Sequence, residues 1–197
     1  KSNEVKLPAK VMPLPTGARF QSKQALSYQR QWSEYLGKPV EFTDSIGMEF
    51  MLIPPGEFIM GYDVKDALLS PQHKVVITKP FYLGKYEVTS GEHSFMGINK
   101  RVGKTPAILS HAQSESFANW LKTKEPGSIY RLPTEAEWEL AHRAGRVDLP
   151  QKQQVALALK SGWYKENSGG RVHEVGELPP NPYGLYDMFG NVGETTS

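Results

Sequence analysis

The sequence has 197 residues, of which 39% are hydrophobic and 22% are charged, and its net charge is +2. These values are typical of a globular domain and lack the clustered positive charge of nucleic-acid-binding proteins, so we expect no nucleic-acid partner. No apolar run is long enough for a membrane span, and the absence of cysteine excludes disulfides, thiolate metal sites and thiol nucleophiles within these residues.

Residues 1–40 are predicted to form an N-terminal arm followed by an amphipathic helix. Residues 1–16 are rich in Lys and Pro and show little periodicity, which favours an extended linker. From Ala18 to Leu36 apolar residues recur at helical spacing, and Gly37 provides a stop signal. We expect this helix to pack on the surface of the main domain. A separate partner-binding helix is the alternative.

The main domain is predicted to occupy residues 41–197. Its first half contains apolar, aromatic and β-branched segments that are typical of strands. Two strands are predicted between Gly47 and Met60, around a Pro-Pro-Gly turn. A second strand pair is predicted from residues 74–78 and 81–88.

Three helix starts show the pattern of a capping box, in which a Ser or Thr and a later Glu or Gln satisfy each other's backbone amides. The remainder of the chain after Gly145 is rich in Gly, Asn and Pro, with one short helix predicted between Val155 and Leu159. These patterns predict an α+β domain with a loop-dominated C-terminal half. The three capping pairs are Thr89 with Glu92, Ser110 with Gln113, and Thr134 with Glu137.

Four segments of the sequence carry motifs that occur together in one protein family. They are GMEFMLIPPGEFIMG from Gly47, FYLGKYEVT from Phe81, YRLPTEAEWELA from Tyr130 and PPNPYGLYDMFGNV from Pro179. In this order they resemble the sulfatase-modifying factor family, which includes formylglycine-generating enzymes, over about residues 44–194. The resemblance implies a modified C-type-lectin-like fold, an α+β domain with little regular secondary structure.

The RLPTEAEWE motif is predicted to be structural rather than catalytic. Arg131 can pair with carboxylates of the following helix, Thr134 can cap that helix, and Trp138 can fill the interior. We therefore assign no catalytic role to the glutamates of this motif, and we predict no catalytic residue elsewhere in the sequence.

The resemblance also implies a calcium site in the segment GLYDMFGNVGE. Carried over position by position, its ligands are the Asp187 side chain, the Gly190 and Val192 carbonyls and the Glu194 carboxylate. Calcium binds about six to eight oxygens in a tolerant geometry, and a glycine-containing loop can turn its carbonyls inward. From the residues alone, a tight Gly/Asn turn with an acidic surface is the alternative.

A second calcium loop of the family would lie near Asn167 and Ser168. This region of the sequence, YKENSGGRVHEVG, offers no clear second acidic ligand. The resemblance therefore implies the position of a second site without supplying its full ligand set.

Enzymes of this family use two cysteines to hold copper(I) and oxidise a sulfatase cysteine to formylglycine. Copper(I) requires soft ligands, so we expect no copper site in this cysteine-free chain. The family pattern also breaks after Val192, where GNVWEW is replaced by GNVGET before the sequence stops at Ser197. We expect a complementing C-terminal segment, supplied either by a longer polypeptide, which we favour, or by a partner chain.

Two functions from different classes remain open. The first is a non-catalytic member or fragment of the family, acting as a calcium-stabilised binding or structural module for a protein or glycan ligand. The alternative is part of an intact formylglycine-generating oxidase whose cysteines lie outside this chain. We expect an extracytoplasmic location, because calcium is plentiful there and the N-terminus resembles a spacer.

Overall fold

Short strands and helices joined by long irregular segments make up the fold. The computed structural model describes residues 12–13, 24–61, 72–97, 103–145 and 151–197. The α+β class and the C-type-lectin-like character predicted from the sequence are confirmed. Within the described ranges the elements are α1 (Ala25–Leu36), β1 (Glu41–Thr43), β2 (Glu49–Ile53), β3 (Gly56–Met60), β4 (His73–Ile77), β5 (Phe81–Gly84), α2 (Ser90–Ser94), α3 (His111–Lys124), α4 (Glu135–Arg143), α5 (Gln151–Ser161), β6 (Gly162–Trp163) and β7 (Phe189–Gly190).

The strands form a three-stranded antiparallel sheet in the order β1-β2-β5, an antiparallel β3-β4 pair, and a parallel β6-β7 pair. The predicted pairing of segments 74–78 and 81–88 is wrong, because β4 pairs with β3 whereas β5 pairs with β2. Buried Pro54 and Pro55 separate β2 from β3. Proline keeps its own backbone and that of the preceding residue extended, so the chain crosses between sheets instead of turning back.

Helix α1 packs on the domain through one buried face. Ala25, Gln29 and Trp32 are its buried residues. The Gln29 side-chain amide donates to Leu52 O at 2.9 Å and to Tyr183 O at 3.0 Å, which satisfies a polar group within the core. The part of the predicted helix before Gln24 lies outside the described residues, and the division of the chain at residue 40 stays a prediction.

Two apolar clusters form the core. The larger lies between α4, β2, β3 and the segment that precedes β7, with Ile53, Phe58, Leu140, Tyr183 and Leu185 buried in it. The smaller is built from Met48 and from two residues of α3, Phe117 and Leu121. The segment 183–188, which contains Asp187, thus packs in the larger cluster through Tyr183, Leu185 and Met188.

All three predicted capping boxes are present, and they begin α2, α3 and α4. In the third, Glu137 accepts from Thr134 N at 2.8 Å and also receives two 2.6 Å hydrogen bonds from the Arg131 guanidinium. Glu139 accepts from Gly61 N at 3.1 Å. These contacts agree with the structural role predicted for the RLPTEAEWE motif.

The fifth helix is longer than its predicted five-residue core, since α5 spans Gln151–Ser161. In the described parts of the chain, no helix has the length and apolarity that crossing a membrane requires.

Candidate functional site

The segment from Asp187 to Val192 carries three of the four residues predicted to bind calcium at the first site. Asp187, Gly190 and Asn191 have φ values of 54°, 80° and 59°, in the left-handed region that few residues adopt. A Cβ on Gly190 would lie 2.1 Å from Trp163 O, because β7 runs directly beside β6 at this point. The segment therefore has a specific conformation that depends on a glycine at residue 190.

Asp187 is buried, with 2% of its surface exposed. One carboxylate oxygen, Oδ2, accepts a 2.7 Å hydrogen bond from Gly176 N. The other, Oδ1, is buried and has no hydrogen-bond partner. Burial raises the pKa of Asp187, although the bond from Gly176 opposes this shift. A buried carboxylate oxygen without a donor is an unfavourable arrangement that a bound cation would relieve.

Glu87 is a second buried carboxylate at this loop, and the sequence analysis did not single it out. It lies three residues beyond β5 and accepts from Asn191 Nδ2 at 2.8 Å and from Val192 N at 3.2 Å. The pKa of Glu87 is raised to about 8, chiefly because burial disfavours the ionised form; the bonds from Asn191 and Val192 oppose this shift, and the charges of Asp187 and Glu194 add to it. The signal in the sequence that could have identified Glu87 is the presence of an acidic residue in the mainly apolar and aromatic segment FYLGKYEV.

Glu194 is held by helix α4. Its Oε2 accepts a 2.6 Å hydrogen bond from Trp138 Nε1. Desolvation raises the pKa of Glu194 to about 7, and the charge of Asp187 adds to the shift. Glu194 is nevertheless exposed to solvent, which limits this desolvation.

The loop around His173 contacts the same segment. Asn191 Oδ1 accepts from His173 N at 3.0 Å, and the His173 ring stacks on Trp163 with a centroid separation of 3.7 Å. Trp163 is half-buried. This stacking packs His173 against β6, the strand that contains Trp163.

Asn167 and Ser168, predicted for the second calcium loop, are engaged in bonds within their own turn. Asn167 Oδ1 accepts from Tyr164 N at 2.6 Å, and its Nδ2 donates to Gly162 O at 2.9 Å. Ser168 Oγ accepts from Gly170 N at 3.2 Å. The second site stays a prediction.

The donor set fits calcium in part. In the portions of the chain that the structure covers, no three His, Asp or Glu side chains are arranged to hold a metal ion. The family-type site needs fewer acids, because carbonyl oxygens complete it. Asp187 fits such a site, because one of its carboxylate oxygens has no hydrogen-bond partner. Glu194 would have to give up its hydrogen bond from Trp138 to bind the ion. Glu87 is a second buried acid nearby. Copper(I) does not fit, because no thiolate is present.

Comparison with known proteins gives concordant matches. Residues 38–197 match the family model of the sulfatase-modifying factor enzyme 1-like domain. The chain is 30% identical over 112 residues to a formylglycine-generating enzyme of Mycobacterium tuberculosis, a match that covers 51% of this chain and 35% of that protein. It is 28% identical over 179 residues to the serine/threonine-protein kinase pkn1 of Chlamydia pneumoniae, covering 74% of this chain and 27% of that protein. The chain thus spans about a third or less of these two relatives.

Two solved structures share the fold. PvdO from Pseudomonas aeruginosa superposes with a TM-score of 0.67 at 28% identity, over 81% of this chain and 75% of that chain. Treponema denticola variable protein 1 superposes with a TM-score of 0.65 at 24% identity, over 80% of this chain and 76% of that chain.

Proposed function

This chain belongs to the sulfatase-modifying factor enzyme 1-like family, and from that premise we propose that it forms a calcium-stabilised, non-catalytic module that binds a protein or glycan ligand or serves a structural role. Membership alone does not decide the chemistry, because one fold can carry different sites. The two features that do bear on it are the acidic loop around Asp187 and the absence of cysteine.

The observation that carries the calcium proposal is the unpaired Oδ1 of Asp187. This oxygen is buried in a loop whose backbone is held in left-handed conformations. A second buried carboxylate, Glu87, lies close enough for the two charges to interact. Two buried acids without a cation oppose folding at neutral pH, since desolvation disfavours their ionised forms.

The proposed ligands are the Asp187 carboxylate, the Gly190 and Val192 carbonyls and the Glu194 carboxylate. Glu87 holds the loop by accepting from Asn191 and Val192, so it fixes the backbone that presents the carbonyls. Bound calcium would supply positive charge that balances the buried carboxylates. The module is stabilised as a consequence, and no reaction step is assigned to the metal.

The proposal is tested by thermal unfolding and isothermal titration calorimetry of the purified 197-residue protein, with calcium or with a chelator. At calcium concentrations of about 100 times the Kd, we expect a stabilisation of about 2.7 kcal/mol, which raises the Tm by about 5–10 °C. Magnesium at the same concentration should give a smaller shift, because it prefers a tighter octahedral site. An identical Tm in calcium and in chelator would refute the calcium site.

The alternative function is part of an intact formylglycine-generating oxidase, with the catalytic cysteines outside this chain. The similarity to the Mycobacterium tuberculosis enzyme favours it. The two functions are distinguished by whether the protein as purified from its native source, together with any copurifying chain, forms aldehyde on a sulfatase-derived cysteine peptide. Aldehyde formation there, and none by these 197 residues alone, would support the oxidase.

An extracytoplasmic location belongs to the same proposal, since the calcium loop would be filled where calcium is abundant. Fractionation of the source cells, with immunodetection of the protein, tests it. Recovery with the cytoplasmic fraction alone would contradict this part of the proposal.

A further inference from the structure

Helix α4 contacts the candidate calcium loop at two points. Trp138 and His142 lie one helical turn apart on α4, and their rings stack with a centroid separation of 5.0 Å. His142 Nδ1 donates to Met188 O at 2.8 Å, next to Asp187. Trp138 Nε1 donates to Glu194 Oε2 at 2.6 Å, at the other end of the loop. Two neighbouring side chains of one helix thus bond to both ends of the segment that contains the proposed calcium ligands.

The loop is anchored at Val192, and the chain just beyond it has room to move. Val192 N donates to Glu87 Oε1 at 3.2 Å, which holds the backbone there. Gly193 is exposed, and a Cβ added to it would have no atom within 4 Å. Glu194 is exposed as well. Its carboxylate can therefore change partner while the carbonyls of Gly190 and Val192 stay in place.

The three acids at the loop are not gathered around one point. Among the described residues, no three His, Asp or Glu side chains are placed to share a metal ion. Glu87 and Asp187 are buried and each accepts from a backbone N–H, so both are held where they are. Glu194 is the acid that can move. To meet Oδ1 of Asp187 at one ion, it has to leave the indole of Trp138.

The hydrogen bond that the ion has to displace is of a strong kind. It joins the indole N–H of Trp138 to the carboxylate of Glu194. Bonds to an ionised carboxylate are roughly twice as strong as bonds between neutral groups. Loss of this bond offsets part of the free energy that calcium gains from Glu194, so the indole lowers the affinity of the site.

We propose that Trp138 competes with calcium for the Glu194 carboxylate, so that this residue of α4 sets the affinity of the site and calcium binding transfers Glu194 from the helix to the ion. The indole acts through Glu194 and does not itself contact the metal. This inference rests on the proposed calcium site, because it names the residue that regulates that site. It also gives the tryptophan of the RLPTEAEWE motif a role beyond packing.

Isothermal titration calorimetry of the whole 197-residue protein with calcium chloride tests the inference. Trp138→Phe keeps an aromatic ring beside His142 but removes the N–H, so it should bind calcium about tenfold more tightly than the wild type. Trp120→Phe is the matched control, because Trp120 lies in α3 and stacks on Phe117. It should keep the wild-type Kd. Circular dichroism and the Tm of the metal-free variants establish that both are folded.

A second measurement uses the wild-type protein and does not depend on the stability of a variant. Its four tryptophans give four indole N–H signals in a ¹H–¹⁵N spectrum. The signals missing from the two variants identify Trp138 and Trp120. Calcium should shift the Trp138 signal upfield and speed its exchange with water, because the bond to Glu194 is lost. The Trp120 signal should stay in place.

Failure of this inference and failure of the calcium site give different results. If neither the wild type nor Trp138→Phe shows a heat of calcium binding, the site is refuted and the inference with it. If the wild type binds calcium and Trp138→Phe binds it equally or more weakly, the inference alone is overturned. The indole would then orient Glu194 for the metal, as donors behind a metal ligand commonly do. A Trp138 signal that calcium leaves in place would likewise overturn the inference alone.

Discussion

The side-chain amide of Asn191 donates a 2.8 Å hydrogen bond to the carboxylate of Glu87, across 104 residues of chain. The oxygen of the same amide accepts from His173 N at 3.0 Å. Asn191 also adopts a φ of 59°, a left-handed conformation that asparagine tolerates better than most residues. One side chain thus joins the loop after β7, the end of β5 and the loop around His173. Buried polar contacts, as well as apolar packing, position the candidate calcium loop.

Asp187→Asn should remove the calcium-dependent rise in Tm. The substitution keeps an acceptor for Gly176 N but takes away the charge and one of the two oxygens that would meet the metal. Thermal unfolding in calcium and in chelator measures the effect. The matched control is Glu174→Gln, an exposed acid in the same half of the chain, which should respond to calcium like the wild type. A calcium response retained by Asp187→Asn would place the metal elsewhere.

Without calcium, the protein should become less stable as the pH rises from about 5 to about 8. The pKa of Glu87 is raised from 4.5 to about 8 in the folded state, so the folded protein binds this proton more tightly than the unfolded chain. That contribution is complete below the unfolded pKa and is lost as the pH rises through the folded one. It amounts to at most about 5 kcal/mol. Asp187 and Glu92, whose pKa values are also raised by burial, act in the same direction.

Urea unfolding in chelator at several pH values measures this dependence. Glu87→Gln should flatten it, because an amide does not ionise, even though the variant loses one accepted hydrogen bond. Glu166→Gln, at an exposed position, should keep the wild-type slope. A wild-type protein whose stability rises between pH 5 and pH 8 would show that Glu87 is ionised at little cost in the folded state.

The sequence predicted the helix starts well because a capping box is a local device. Thr134 and Glu137 are three residues apart, and the bonds between them form whenever the helix does. Strand pairing is different, because the partners of β4 and β5 are chosen by the buried proline crossover between β2 and β3.

The candidate site was predictable only in part. Asp187 was found because the family motif runs through it, whereas Glu87 lies 100 residues earlier, and its role depends on burial that only the assembled fold produces. Trp163 stacks on His173, a contact that no spacing in the sequence indicates. Contacts between distant loops leave no periodic signal in a sequence.

Thr134→Ala should destabilise the protein more than Ser110→Ala does. Thr134 caps α4 together with Glu137, which is buried and also binds Arg131, whereas Ser110 and Gln113 are exposed. We expect losses of about 1–2 kcal/mol for Thr134→Ala and about 0.5–1 kcal/mol for Ser110→Ala. Urea unfolding of both variants measures the free energy of unfolding. Equal losses would mean that the Arg131–Glu137 pair forms without help from the cap.

Gly190→Ala should destabilise the protein by at least about 2 kcal/mol. The added Cβ would lie 2.1 Å from Trp163 O, and the residue has a φ of 80°. Gly193, three residues later, has no atom within 4 Å of an added Cβ and no left-handed φ. Gly193→Ala is therefore the matched control and should leave the free energy of unfolding nearly unchanged. If chemical unfolding gives similar values for the two variants, the close approach of β6 and β7 is absent in solution.

The 197-residue protein should leave the thiol of a sulfatase-derived cysteine peptide unchanged in the presence of copper(I) and oxygen. Its only sulfur atoms are the thioethers of six methionines, and Met48, Met51 and Met188 among them are buried in the core. A thioether is neutral and cannot form the anionic thiolate pair that copper(I) requires for this chemistry. An aldehyde-reactive hydrazide probe followed by mass spectrometry measures the product, and a formylglycine-generating enzyme serves as the positive control. Aldehyde formed by these residues alone would show that the family's oxidation can proceed without cysteine, and the non-catalytic assignment would fall.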